Sequence, residues 1–261
     1  MNTKGFALLA VLWVITALTT LTGAGLLVAR LGGETTRNRI LLARAEWARE
    51  ACGEILAARF AVDPTIRGLD PIDLGRGTWC RASLEDPAAK LNLNTADREA
   101  LTQLFRATGA QQTFADSVLA RRARGTIYDL RQVPGLDSTV AARLTAFVTL
   151  RGTGVVNVNA TPPQVLRTLP GMTEEAVVLL TSRRALRPLH TADELAGMLS
   201  RSSRTVFLGS YAEFVRAAVF DPPQLIATVE GGIRGTPIVA RATLTTVPVP
   251  GRLAIIRRET E

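Results

Sequence analysis

The sequence predicts an α+β fold: a long N-terminal helix packs on an antiparallel sheet, and a large all-helical domain is inserted into that sheet. Three observations carry the prediction. Residues 5–29 hold no charged side chain and run on into an amphipathic stretch that ends near Pro64. A short motif recurs at an offset of 65 residues, in Leu91-Asn92-Leu93-Asn94 and Val156-Asn157-Val158-Asn159. From about residue 204 the apolar positions adopt a period of two, punctuated by Gly and Pro.

The totals narrow the function classes. The chain has 261 residues, 47% hydrophobic, with a mean hydropathy of +0.17, which allows an anchor plus one or two domains. Formal charge is +8 and only Lys4 and Lys90 are lysines, so 29 of the 31 basic residues are arginines. That bias reads as a compositional effect first and as a nucleic-acid footprint second. Two cysteines, Cys52 and Cys80, and one histidine, His190, are too few for a zinc site or a Cys/His nucleophile pair. No other catalytic constellation is present, so no enzyme activity and no cofactor are expected. His190 lies beside Pro188 in a linker and reads as a turn residue.

The first element is bounded by Lys4 and Arg30. Its length suffices for a bilayer core, which takes about 20 apolar residues in a helix. A signal peptide, a plain anchor and a processed anchor compete for it. A signal peptide would end sooner, at small residues such as Thr22-Gly23-Ala24, but the apolar run continues to Ala29. The polar leader Met1–Gly5 meeting Phe6 resembles a prepilin cleavage site, where a peptidase cuts after Gly and the new N-terminal Phe is methylated. Lys4 and the short leader favour a cytoplasmic N-terminus, while Arg30, Arg37, Arg39 and Arg44 on the far side argue the other way.

In the second half, Leu41, Ala45, Ala48, Cys52, Ile55 and Leu56 recur at helical spacing against a charged opposite face. Gly32-Gly33 is the expected weak point between the two halves. Residues 63–77 are rich in Asp, Pro and Gly and read as turns; Asp63, Asp70 and Asp73 lack cation-loop spacing and read as turn formers. Thr78–Leu84 reads as the first strand.

The repeat then defines two helical units, 91–151 and 156–200, in which Leu101 falls on Leu166, Arg122 on Arg187 and Leu130 on Leu195. The Asn-x-Asn segments read as helix starts, with Thr95 and Thr161 following. Val133-Pro134-Gly135-Leu136 and Leu169-Pro170-Gly171-Met172 are turns between helices, and the units resemble helix-hairpin-helix modules. Such hairpins bind phosphate through a second glycine; here Asp137 and Thr173 stand in its place. The unit 156–200 has four arginines, four carboxylates and no net charge, which offers little to a phosphate backbone.

At the C-terminus, Thr205–Leu208, Tyr211–Phe220, Leu225–Glu230, Ile238–Leu244 and Leu253–Arg257 read as strands of a meander that the amphipathic helix would cover.

This order, with the Gly5-Phe6 border and the paired Asn-x-Asn units, resembles the minor pseudopilin K family of type II secretion systems across essentially the whole chain. The resemblance implies a pilin-like fold with an insert of two helix-hairpin-helix or SAM-like repeats. Its parts would be a leader (1–5), a transmembrane half-helix (6–29), the soluble half-helix and first strand (30–90), the insert (91–200) and C-terminal strands (204–261). It implies cleavage after Gly5, methylation of Phe6 and a single-pass inner-membrane protein with its soluble part in the periplasm. The expected partners are the prepilin peptidase and the I- and J-type minor pseudopilins, and no nucleic acid. Ala10, fifth after the cut, replaces a carboxylate that other pseudopilins carry, a loss that a tip subunit with no neighbour ahead would tolerate. Some K-family members bind calcium, but no loop here identifies ligands. In an oxidising periplasm Cys52 and Cys80 would form a disulfide or remain as two buried thiols. The alternative reading is a membrane-anchored DNA-binding protein of a DNA-uptake system.

Overall fold

The computed structural model describes residues 3–260, with side chains described from Val11 onward. Helix α1 runs unbroken over Thr3–Val62. Gly32 and Gly33 sit inside it without breaking it, and Thr35 and Thr36 continue the helical pattern by bonding the Leu31 and Gly32 carbonyls. An 18-residue window of α1 has a mean hydropathy of 2.0, with none of it buried against the rest of the chain, so α1 is long and apolar enough to cross a membrane. Its threonines are suited to that solvent. Thr16, Thr19, Thr20 and Thr22 each donate to the carbonyl four residues back at 2.7–2.9 Å, which leaves no hydroxyl donor for lipid to satisfy.

The upper half of α1 buries Ala45, Ala48, Cys52, Leu56 and Phe60, a stripe at helical spacing. Leu41 and Ile55, expected on that stripe, are half-buried at its margins. The stripe lies on a five-stranded antiparallel sheet of β1 (Gly68–Gly75), β2 (Thr78–Glu85), β7 (Leu225–Ile233), β8 (Val239–Val249) and β9 (Arg252–Thr260), in the order β1-β2-β7-β8-β9. β1 occupies the segment whose composition reads as turns. It is an edge strand with two irregularities in its pairing, and Pro71, which has no N–H to donate, is tolerated there. At the centre of the sheet the chain comes unusually close to α1. A Cβ on Gly231 would lie 2.8 Å from the Ala48 carbonyl carbon and closer still to Ala45 O and Arg49 N. Glycine on the strand and alanine on the helix are what allow this contact.

Strands β2 and β7 are neighbours although 139 residues separate Glu85 from Leu225, and Glu85 pairs with Ile226. Everything between them leaves and re-enters the sheet at one place. That segment forms a second hydrophobic core of its own, distinct from the core between α1 and the sheet. Its first unit comprises β3 (Leu91–Asn92), α2 (Arg98–Ala107), α3 (Phe114–Arg122), a 3-10 turn (Leu130–Gln132), α4 (Ser138–Leu144) and β4 (Val148–Thr149). The second comprises β5 (Val156–Asn157), α5 (Pro163–Leu166), α6 (Glu174–Leu186), α7 (Ala192–Met198), α8 (Arg201–Gly209), α9 (Tyr211–Ala217) and β6 (Ala218–Val219).

Residues 205–209 and 211–217 are therefore helical, not the strands that their alternation suggests, and only Ala218–Val219 of the expected strands 205–208 and 211–220 is extended. The second unit closes when β5 pairs in parallel with β6, as β3 pairs with β4 in the first. Its helices thus run past residue 200. Phe207, Tyr211 and Phe214 explain the choice. Spaced four and three apart, they share one helical face, and their rings meet edge-on at 4.9–6.0 Å with Phe207 and Phe214 fully buried.

Candidate functional site

A small set of side-chain ties builds the inserted domain and holds it to the sheet. Each unit is organised by one asparagine. Asn94 Nδ2 donates to Ile127 O and Leu150 O at 3.0 Å, and its Oδ1 accepts from Ile127 N at 2.8 Å. Asn159 repeats the pattern, donating to Leu189 O and Phe220 O at 2.7 Å and accepting from Leu189 N at 3.0 Å. The preceding asparagines form tight turns: Asn92 Oδ1 accepts from Asn94 N, and Asn157 Oδ1 from Asn159 N. The Asn-x-Asn motif is thus a cross-unit tie and not a helix cap. Caps are supplied by Asp97, Asp137, Thr173 and Thr191.

One arginine per unit closes the same loop. Arg122 donates to Leu93 O and Ala96 O, and Arg184 to Val158 O and Thr161 O. The structural equivalent of Arg122 is Arg184, not Arg187, because the stretch from the Asn-x-Asn motif to this arginine is three residues shorter in the second copy. Burial lowers the Arg184 pKa below the ordinary guanidinium value.

The junction to the sheet is a second node. Asp86 Oδ1 accepts from Ala88 N at 2.9 Å and Oδ2 accepts from Asn157 Nδ2 at 2.7 Å, which ties the second unit to the strand that leads into the first. Burial pushes the Asp86 carboxyl above its usual range, against those hydrogen bonds. Lys90 and Glu85 pair at 2.6 Å beside it, and Arg151 approaches Glu259 on β9 at 3.9 Å.

Both Pro-Gly turns adopt the left-handed backbone expected of them, with φ of 81° at Gly135 and 71° at Gly171. They turn inward. A Cβ on Gly135 would meet Phe114, and one on Gly171 would meet Phe207 and Ser210 at 3.1 Å. Asp137 and Thr173 cap the helices that follow, and Glu174 pairs with Arg167 at 2.6 Å. An incoming phosphate would find these helix starts already capped by side chains of the chain, one of them a carboxylate. The seam between the two units opens a polar groove of about 740 Å³, lined by Asp97, Gln103, Arg167, Glu213 and Arg216 among others.

On the sheet face away from α1, Arg81, Glu230 and Arg241 stand side by side on three adjacent strands. Glu230 is buried and bonds both guanidinium groups, Arg241 at 2.6–2.7 Å. Burial pushes its carboxyl up, but the two arginines outweigh burial and hold it below the usual 4.5. A depressed folded-state pKa contributes stability that is complete above the unfolded value and is lost as pH falls through the folded one. Thermal melts should therefore be flat from neutrality to about pH 5 and fall in more acid solution. Glu230→Gln should flatten the acid limb; an unchanged limb would assign the acid sensitivity to other carboxylates.

Cys52 on α1 and Cys80 on β2 are both fully buried and carry free thiols. Burial, reinforced by the neighbouring thiol, raises the Cys52 pKa well above its ordinary value. Among the described residues, no group of three or more His, Cys, Asp or Glu is placed to hold a metal ion. Asp63 accepts from Thr65 as a turn former does, whereas Asp70 and Asp73 lie on strand β1, where Asp73 accepts from Gly75 N and pairs with Arg234. The Gly5-Phe6 border and Ala10 lie outside the residues whose side chains are described.

No protein-family model and no curated protein sequence matches this chain. Among solved structures, it is similar to a chain in the crystal structure of the GspK–GspI–GspJ complex from the enterotoxigenic Escherichia coli type 2 secretion system. The TM-score is 0.60 at 13% identity, over 87% of this chain and 99% of that one. The chain has a GspK-like fold. The GspK-like likeness spans both the helix-and-sheet part and the inserted helical part, since neither alone amounts to that coverage. At this identity it carries the α+β, pilin-like architecture, and function has to be argued from the chain itself.

Proposed function

We propose that this chain is a minor pseudopilin of a type II secretion system, placed at the tip of the pseudopilus together with I- and J-type subunits. The observation that carries the reading is one rigid stalk, α1, apolar in its lower half and sheathed by a sheet in its upper half, with a bulky helical domain grafted at a single point on that sheet. Stalks of this kind pack side by side. A domain this large on one of them leaves no room for a further subunit above it, which suits the last position and limits growth. The protein acts through surfaces and not through catalysis. The domain division follows: leader, transmembrane half-helix, soluble half-helix with sheet, and insert.

In this reading a prepilin peptidase cuts after Gly5, Phe6 is N-methylated, and Ala10 needs no carboxylate because no subunit lies ahead of it. The N-terminus is cytoplasmic and the sheet and insert are periplasmic. Co-expression with I- and J-type pseudopilins should give a complex that co-purifies, and deletion should abolish secretion. Normal secretion in the deletion strain, with the I–J pair assembling unaided, would overturn the tip role.

A periplasmic location also has a consequence for Cys52 and Cys80. Transfer of two electrons and two protons to a dithiol-oxidising protein would join the two sulfurs and staple α1 to β2. Closing a loop of that length stabilises by about 3–4 kcal/mol in the chain-entropy account. Chain isolated from the periplasmic side should resist alkylation after denaturation until it is reduced. Two thiols labelled without reduction would contradict the staple.

A further inference from the structure

The chain carries an excess of arginine where the stalk leaves its apolar half. Between residues 30 and 44 there are four arginines, Arg30, Arg37, Arg39 and Arg44, against one carboxylate, Glu34. Glu34 is already engaged by Arg30 at 3.5 Å. The sheet adds to this ring. Arg44 reaches back to bond Arg76 O at 2.8 Å and Thr78 Oγ1 at 2.7 Å, which fixes the β1–β2 turn beside the helix. Arg234 N bonds Gly77 O at 2.8 Å, so the β7–β8 turn lies there too. Arg37, Arg39, Arg76 and Arg234 are all exposed. Of these, Arg234 pairs with Asp73 at 3.2 Å, while Arg37, Arg39 and Arg76 have no ion pair among the described residues. Six arginines thus face two carboxylates, and the two carboxylates are spent on ion pairs.

The direction of the side chains matters as much as the count. In a helix every Cα–Cβ bond tilts toward the N-terminus, so long side chains reach back over the preceding turn. The N-terminus of α1 is the apolar end. Arg37 and Arg39 lie about 10 and 14 Å beyond Arg30 along the axis, and their guanidinium groups hang back toward it. That brings their charge to roughly a Debye length from the edge of the apolar segment.

We infer that this arginine collar docks on the anionic phospholipid headgroups of the leaflet from which α1 emerges. The inference rests on the reading that α1 spans a membrane. Guanidinium forks suit phosphodiester oxygens, and a basic residue at an anionic surface contributes about 1 kcal/mol, or about a fivefold preference. The collar would also fix how far the stalk rises and how the sheet stands over the bilayer before assembly draws the subunit out.

The test uses the full chain, reconstituted in bilayers of phosphatidylcholine with a minor share of phosphatidylglycerol. Flotation with vesicles reads insertion of α1, and the lipid retained around the protein reads the collar. The wild type should insert and hold phosphatidylglycerol enriched about fivefold or more over the bulk, with the enrichment falling as salt is raised. A triple variant, Arg37→Gln, Arg39→Gln and Arg76→Gln, should insert equally and lose most of the enrichment. These three side chains make no ion pair among the described residues, so the variant spares the fold. Equal lipid composition around wild type and variant would overturn the collar while leaving the membrane span intact. Failure of the wild type to float even with neutral vesicles would overturn the span and the collar with it.

Discussion

Gly231→Val will separate the sheet from the stalk. A Cβ at this position would meet Ala45 O, Arg49 N and the Ala48 carbonyl carbon, all backbone atoms of one helix. Overpacking usually costs about 1–3 kcal/mol because flexible side chains can move aside. Here nothing flexible is in the way, so the helix as a whole must shift by a substantial fraction of an ångström. That shift would also open the contact around Cys52 and Cys80, which are fully buried between the same two elements. The expected loss is at least about 3 kcal/mol, at the upper end of that range. Thermal unfolding followed by tryptophan fluorescence reads it, because Trp13, Trp47 and Trp79 all belong to α1 and β2 and none to the inserted domain. An unchanged fluorescence midpoint would mean that α1 does not lean on the centre of the sheet.

Asn159→Ala should do comparable damage at a different place. It orphans Leu189 N, Leu189 O and Phe220 O together, three groups that Asn159 alone joins across the second unit. Leaving a buried polar group unpaired costs about 1–3 kcal/mol, so the sum is about 3–5 kcal/mol after partial rehydration. Because the two cores are separate, the loss should appear in the far-ultraviolet circular dichroism of the helices with little change in the tryptophan transition. Asn94→Ala should behave alike in the first unit. A single shared transition that moves equally by both probes would show the two cores to be energetically one.

The contrast between these two residues shows what was legible in the sequence. The stalk was legible because its stripe of Ala45, Ala48, Cys52 and Leu56 is local, and helical spacing leaves it one face to bury. The repeat was legible as a motif, and so were Asn94 and Asn159 as polar residues at fixed places. Their role was not legible, because their partners lie 30 to 61 residues away, and local pattern suggests only a helix cap. The Arg122–Arg184 equivalence was hidden by a three-residue shift that a fixed offset cannot follow. Residues 211–217 carry both an alternating pattern and a helical one. The decision fell to Phe207 and Phe214 meeting in the core, which is a tertiary fact. β1 was missed because Pro and Gly, which punctuate strands elsewhere, are tolerated on an edge.

The surroundings of the Pro-Gly turns sharpen the choice between an assembly subunit and a nucleic-acid binder. Hairpins that read phosphate must present their backbone N–H groups outward. Gly171 instead backs closely onto the backbone of Phe207 and onto Ser210, Gly135 lies in contact with Phe114, and Glu174 is held beside the second hairpin by Arg167. A structural repeat is better served by that arrangement, since it turns the closest backbone approaches into core contacts.

Intact-mass analysis of the chain purified from membranes of a host with a prepilin peptidase tests the pseudopilin reading most directly. Loss of Met1–Gly5 and one added methyl group on the Phe6 amine is the predicted outcome. A membrane-inserted chain that still begins at Met1 in that host would contradict it.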